Sequence, residues 1–400
     1  MGVFRGIRFA VLTLLLVWIL VPALTARAGA QRQASPAPQK SGKLPRPQAL
    51  GRSLEFERDP TSGELHSPPP ESGPPAGAGT IRSSVTLVQV ACTVVAPDET
   101  QVRGLKQEDF HLTEDGAPQE IASFDASSTP ARIALVLDAS PSIYHELAQM
   151  RGAARALAGN LSPEDEIAVV SFSQQAHLLL PFSKNRALLD HALNSSDLAR
   201  VENSSESNIY QAVFLTAQEL FRGRTGRKAI VLLTDGQDSG LGLTWDAVST
   251  QPRLGAAAAR LAFDDVAREL GADGIALFIV STENRPRAMT PAWLRAHESQ
   301  VLVTPEAKKL EIPHYTVYLA ELARRVGGQL YFLREVGDLN EIYRRIALTI
   351  SAEYTLGYYP SAGTAKPGWR ALRVELTGGA KAPPGALVVH RASYYVSAFP

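Results

Sequence analysis

Ile133-Ala134-Leu135-Val136-Leu137-Asp138-Ala139-Ser140-Pro141-Ser142 is an apolar run that ends in one carboxylate and two hydroxyls. Five aliphatic residues in succession fit a strand buried on both faces, as in a parallel sheet covered by helices. Side chains at positions 138, 140 and 142 alternate into one direction. Their oxygens can therefore meet in a shallow bowl at the carboxyl end of the strand, where open α/β sheets bind ligands. Hard divalent cations take such donors, at ~2.0–2.1 Å for Mg²⁺, and keep several waters. A second run, Ala229-Ile230-Val231-Leu232-Leu233-Thr234, ends the same way in Asp235-Gly236-Gln237-Asp238. Asp138, Ser140, Ser142 and Asp235 are thus candidate ligands for Mg²⁺ or Mn²⁺. The same residue types also build plain turns and helix caps. The pairing of two such strand ends is what favours a cation. Asp238 reads either as a support for the Asp235 loop or as a solvated turn residue.

Outward from these strands, residues 131–351 alternate strand and helix. Ile143, Leu147, Met150, Ala154 and Leu157 recur at helical spacing, as do Ile209, Val213, Ala217, Leu220 and Phe221. Strands are expected at 166–172, 177–182, 275–280 and 329–333, and a helix near 256–270. A helix striped by Leu319, Leu322, Ala323 and Val326 stops at Gly327-Gly328. Asp338 and Glu341 read as a capping box for the last helix, striped by Leu339, Ile342, Ile346 and Ile350. The expected fold class is α/β, a doubly wound, mainly parallel sheet. The stretch 281–313, with Arg285, Pro286, Arg287 and Trp293, interrupts this rhythm. It reads as a surface loop or as an element of partner choice.

Both flanks read as β. In residues 81–130, Cys92 shares a strand face with Val88, Val90 and Val94, so a buried structural thiol is expected. Asp115-Gly116 signals a hairpin turn, with 120–124 as the return strand. Residues 352–400 hold three further β stretches, at 354–359, 370–376 and 386–396, and the two flanks have the makings of one small β module.

The chain has 400 residues, 40 Lys plus Arg against 40 Asp plus Glu, and one cysteine. Zero net charge offers no basic stripe for nucleic acid. A single cysteine excludes an internal disulfide and any cysteine zinc motif. Arg5 and Arg8, an apolar run and the small-residue site Ala26-Arg27-Ala28 form the order of a secretory signal peptide over residues 1–30. The mature chain is then secreted or periplasmic, without a membrane span. Residues 31–80, rich in proline, glycine and serine, read as a disordered linker.

With these motifs placed, the chain resembles the von Willebrand factor A domain and its metal-ion-dependent adhesion site. Asp138, Ser140 and Ser142 match the Asp-x-Ser-x-Ser element, and Asp235 matches the later aspartate. Ser207, in Ser207-Asn208-Ile209-Tyr210-Gln211-Ala212, stands where the family has threonine, keeping the hydroxyl and losing the methyl. Glu206 and Pro141 are further departures. The flanks are similar to those of a VWFA-related family of secreted proteins described from acidobacteria. The resemblance implies that Ser140, Ser142 and Ser207 ligate the cation directly or nearly so, while Asp138 and Asp235 act through water. It implies an open position for an Asp or Glu carboxylate of a partner protein. A metal-independent scaffold is the alternative. An extracytoplasmic hydrolase is a third reading, weakened by the absence of a nucleophile elbow, a phosphate loop or a His-Glu-x-x-His motif. His145 reads as a helix-surface residue.

Overall fold

A computed structural model describes residues 44–52, 54, 56–58, 60, 65–66, 87–98, 100–126, 130–141, 143, 147–195, 198, 206–243, 245, 261–290, 293, 302–333, 339–350, 354–360 and 368–396. The signal segment at 1–30, Ser142, His145 and Asp338 lie outside the described residues. Along the chain, β1 (Gln48–Ala49), β2 (Glu57–Arg58) and β3 (Leu65–His66) precede β4 (Val88–Val95), β5 (Phe110–Glu114), β6 (Ala117–Gln119) and β7 (Ile121–Asp125). The alternating part then runs β8 (Ala131–Asp138), α1 (Leu147–Asn160), β9 (Glu166–Phe172), β10 (Ala176–Ser183), α2 (Arg186–Asn194) and α3 (Ile209–Thr216). It continues with β11 (Arg227–Thr234), α4 (Phe263–Asp273), β12 (Ile275–Ser281), α5 (Pro305–Lys309), α6 (His314–Val326), β13 (Leu330–Phe332) and α7 (Leu339–Ile350). Last come β14 (Tyr354–Tyr358), β15 (Gly368–Leu376), β16 (Leu387–His390) and β17 (Ser393–Val396).

The central sheet has the order β1-β10-β9-β8-β11-β12-β13. The five strands from β9 to β13 in that order are parallel, while β10 and β1 add antiparallel at one edge. Alternate strand residues feed two separate cores. Ala134, Val136, Ile230 and Leu232 pack under α3, α4 and α6, whereas Ile133, Leu135, Val231 and Leu233 pack under α1, α2 and α7. Both sheet faces are covered, which explains the continuous apolar runs. From β8 the chain proceeds to β9 on one side, and β11 is laid down on the other. β8 is thus the switch point, and in open α/β sheets ligands bind above the carboxyl end of the strand at that point.

The flanking segments pair into two four-stranded antiparallel sheets, β16-β4-β14-β7 and β17-β15-β5-β6. Val90, Cys92, Leu356 and Tyr358 from one sheet meet Phe110, Leu112, Leu372 and Val374 from the other in one core. Burial pushes the Cys92 thiol up to about 12, as befits a small apolar filler. Inside this core the hydroxyls of Tyr358 and Tyr394 both donate to the buried Glu114 carboxylate.

Several expectations need correction. The segment read as a disordered linker is in part built into the fold. β1 pairs with β10, Phe56 is 1% exposed against Phe214, and Arg58 bonds Asp265 at 2.7 Å. Average composition concealed single apolar residues that find separate sockets on the domain. The return strand after Asp115-Gly116 is Ala117–Gln119, because a two-residue turn with both φ positive makes Ala117 oppose Glu114. β7 then crosses to the other sheet and pairs with β14. The stretch 386–396 is two strands in different sheets. The helix expected near 256–270 is described from Phe263 and ends at Gly274 in a left-handed conformation. Glu341 grips Arg344 and Arg345 of its own helix at 2.8 Å. The 281–313 stretch carries α5 and its own small core of Met289, Leu302, Ala307 and Ile312 against α6, with Trp293 beside it.

Candidate metal centre

The register Leu233↔Leu137 between β11 and β8 sets Thr234 alongside Asp138. Asp138 is fully buried, and the hydrogen bonds to it reach both carboxylate oxygens. Oδ1 accepts the Ser140 backbone N–H at 2.9 Å. Oδ2 accepts the Thr234 hydroxyl at 2.7 Å and the Ser207 hydroxyl at 3.2 Å. Burial is the main influence on the Asp138 carboxyl and pushes its pKa up. Hydrogen bonds from Ser140 and Thr234 pull it down, and the Asp235 charge pushes it up further. Asp235 is itself buried, 7% exposed, and accepts the Gln237 N–H at 2.9 Å.

Three loops are laced together around this pair. Thr234 Oγ1 takes the Gly236 N–H at 3.0 Å, tying the turn after β11 to the hydroxyl that holds Asp138. The Ser207 N–H donates to Ser239 Oγ at 2.7 Å, and the Ser239 N–H returns to the Ser207 carbonyl at 2.8 Å. Asn208 reaches the loop after β9 through its N–H on the Ser173 carbonyl and its Nδ2 on the Gln174 carbonyl. Glu206 turns to Gln174 at 3.1 Å. Asp238 supports the assembly from below. Its Oδ2 accepts the Leu241 N–H at 2.7 Å, and the N–H groups of Ile209 and Tyr210 at the start of α3 face it. Burial outweighs these donors and raises the Asp238 carboxyl to about 6. On the rim, Tyr315 and Leu319 of α6 lie against Gly236, which has φ +90°.

The structure therefore brings together Asp138, Ser140, Ser207 and Asp235. Thr234, Ser239 and Asp238 join them as the residues that hold the loops. The donor set suits a small hard cation. Two buried like charges repel unless a cation lies between them. A hydroxyl that has given its proton to Asp138, as Ser207 has, presents its lone pairs elsewhere. Among the described residues there is no group of three or more His, Cys, Asp or Glu side chains set to hold a metal. Any cation here would rest on two carboxylates and hydroxyls.

Residues 133–237 match the family of von Willebrand factor type A domains. No curated protein matches the sequence. Among solved structures, an aerotolerance-related membrane protein from Bacteroides fragilis is 17% identical, with a TM-score of 0.38, over 55% of this chain and 98% of its own. A von Willebrand factor type A protein from Catenulispora acidiphila is 13% identical, with a TM-score of 0.37, over 72% and 74%. Proximal thread matrix protein 1 from the mussel byssus, with a zinc-occupied MIDAS motif, is 15% identical, with a TM-score of 0.36, over 59% and 49%.

Proposed function

We propose that this chain, which carries a von Willebrand factor type A domain at residues 133–237, is an extracytoplasmic protein-binding module. Its α/β domain would hold a divalent cation, and the cation would bridge to an Asp or Glu carboxylate on a partner protein. The observation that carries this reading is the buried Asp138 carboxylate, held by Ser140, Ser207 and Thr234 beside Asp235. Ser140, Ser207 and Ser142 would supply hydroxyl ligands, with Asp138 and Asp235 orienting bound water. Donors that are oxygen alone favour Mg²⁺ or Mn²⁺ over softer metals. Few direct carboxylates leave the cation electrophilic toward an incoming one. The chemistry is association, and no residue is assigned a catalytic step.

The test is calorimetric titration of Mg²⁺ and Mn²⁺ into the full chain and into Asp138→Ala. Saturable binding that disappears in the variant is the expected result. A scaffold that needs no metal would bind its partner equally well in chelator and in the variant. Among the described residues no helix is long and apolar enough to cross a membrane. An extracytoplasmic location rests on the leader-like order of residues 1–30 and is tested by amino-terminal sequencing of the exported protein.

A further inference from the structure

At the opposite end of the central sheet, a cleft of about 840 Å³ lies between the α/β domain and the β-sandwich. Two lines of contact bound it. On one side Thr93 and Gln101 donate to the Thr349 and Leu348 carbonyls at the end of α7. On the other, Ser393 donates to the Arg325 carbonyl, and Trp369 lies against Gly271 of α4. Between them the outer face of the β4–β14 pair, with Ala91 opposite Thr355, looks toward the amino-terminal end of β11. β11 ends beside Asp235, so the cleft and the metal centre are about one strand length, roughly 20 Å, apart.

The lining is apolar with a cationic surplus. Arg224, Arg227, Lys228 and Arg391 face it against Asp125 and Asp273, and Asp273 is already engaged by Lys228 at 3.7 Å. Val389, one of the few large aliphatic side chains left exposed, opens onto the same space. Arg391 is the unusual member. Its Nη2 donates to the Gln89 carbonyl at 2.8 Å and its guanidinium lies over the Tyr394 ring at 5.4 Å. No salt bridge to it exists among the described residues, and its Nε is a buried donor without a partner. It sits where α4 and α6 both end. A Cβ on Gly274 would lie 3.5 Å from its Nη1, and one on Gly327 would lie 2.6 Å from its Cα. Two helix carboxyl ends, each with residual negative charge, account for a guanidinium without a carboxylate. These are partial charges, and no acid lining the cleft pairs with Arg391 among the described residues, so the guanidinium keeps its net positive charge.

We propose that this cleft binds a small amphiphilic organic anion, an apolar chain or ring bearing a carboxylate, with Arg391 receiving the anionic end. The volume falls within the range of small-molecule sites, which favour boundaries between structural units. The apolar body lies along Val389 and the alkyl lining. The carboxylate answers the guanidinium that the protein leaves without an acid.

Octanoate, titrated calorimetrically into the full chain, is the probe, with 1-octanol and octyltrimethylammonium as neutral and cationic counterparts. Saturable octanoate binding is expected, with octanol weaker and the cation silent. Arg391→Gln should weaken octanoate by about tenfold or more, the loss of a charge-assisted bond. Ala91→Trp, at an exposed strand position that tolerates a large β-former, should fill the cleft and abolish binding. Absence of saturable octanoate binding overturns the proposal, as does equal affinity for octanoate and octanol. Unchanged affinity in a folded Ala91→Trp chain also overturns it. If Arg391→Gln does not fold by circular dichroism, the Ala91→Trp result decides alone.

Discussion

Thr234 shows how a residue outside the candidate ligand set can hold the candidate metal centre together. Its hydroxyl donates to Asp138 and accepts from Gly236, so one atom fixes both the carboxylate and the neighbouring turn. Thr234→Val keeps the shape and deletes both bonds. The expected cost is about 1–3 kcal/mol in denaturant unfolding, with weaker Mg²⁺ binding by calorimetry. Asp238 offers a second handle through pH. Its carboxyl is raised to about 6 in the folded chain, against about 4 when unfolded, so folding favours its protonated form. That stabilisation is complete below about pH 4 and is lost as the pH rises through about 6. In chelator, unfolding free energy should therefore fall by on the order of 2 kcal/mol across this window. Asp238→Asn should remove the fall, and a chain with an unchanged pH profile would show that Asp238 does not titrate there. The sequence disclosed Asp138, Ser140 and Asp235 because apolar runs mark strand ends. It could not disclose the duty of Thr234 or Ser239, because each depends on the register or approach of chain segments far apart in sequence.

Among the elements, α6 joins all three regions of the fold. Its first turn carries Tyr315 to the rim of the candidate metal centre, its middle buries Leu319 and Leu322, and its end meets Arg391. Gly327 makes that end possible, with φ +87° and a would-be Cβ 2.6 Å from Arg391 Cα. Gly327→Ala combines left-handed strain with a backbone clash, so a loss of about 2 kcal/mol or more is expected in chemical denaturation. Gly327-Gly328 was legible as a helix stop. The second reason for glycine, the arrival of the sandwich, was not, since nothing local marks a neighbour from residue 391. The return strand after Asp115-Gly116 was misplaced for a related reason. The turn was recognised, but its two-residue length makes Ala117 pair at once, leaving 121–125 free to join another sheet.

On the scale of the molecule, the α/β domain interrupts the sandwich. Strands β4 to β7 complete their core only with strands after residue 353, as Tyr354↔Cys92 and Val374↔Leu112 show. A chain ending at residue 351 would expose Val90, Cys92 and Leu112, buried at present, along unpaired edges. It should aggregate on size-exclusion chromatography, whereas the full chain should elute as a discrete species. The alternation of strands and helices announced the domain, because each element's period is local. The pairing of the flanks into one module leaves no local mark, because it joins strands on either side of the whole α/β domain. The amino-terminal pieces were misjudged because Leu50 and Phe56 are isolated in a polar, proline-rich stretch and find their contacts only on the folded domain.

The interrupted sandwich also sets how tension would pass through the molecule. The candidate metal centre lies at the carboxyl ends of β8 and β11, whereas Ala131, which begins β8, and Ile350, which ends α7, lie at the other end, toward the sandwich. A pull applied at the carboxyl ends of the central strands would travel down them and divide between two covalent exits. The exits join β7 at Asp125 and β14 at Tyr354, side by side at the same end of one antiparallel pair, so two hydrogen-bonded neighbours take the load together and in the same direction. The arrangement is that of an anchor fastened at two points.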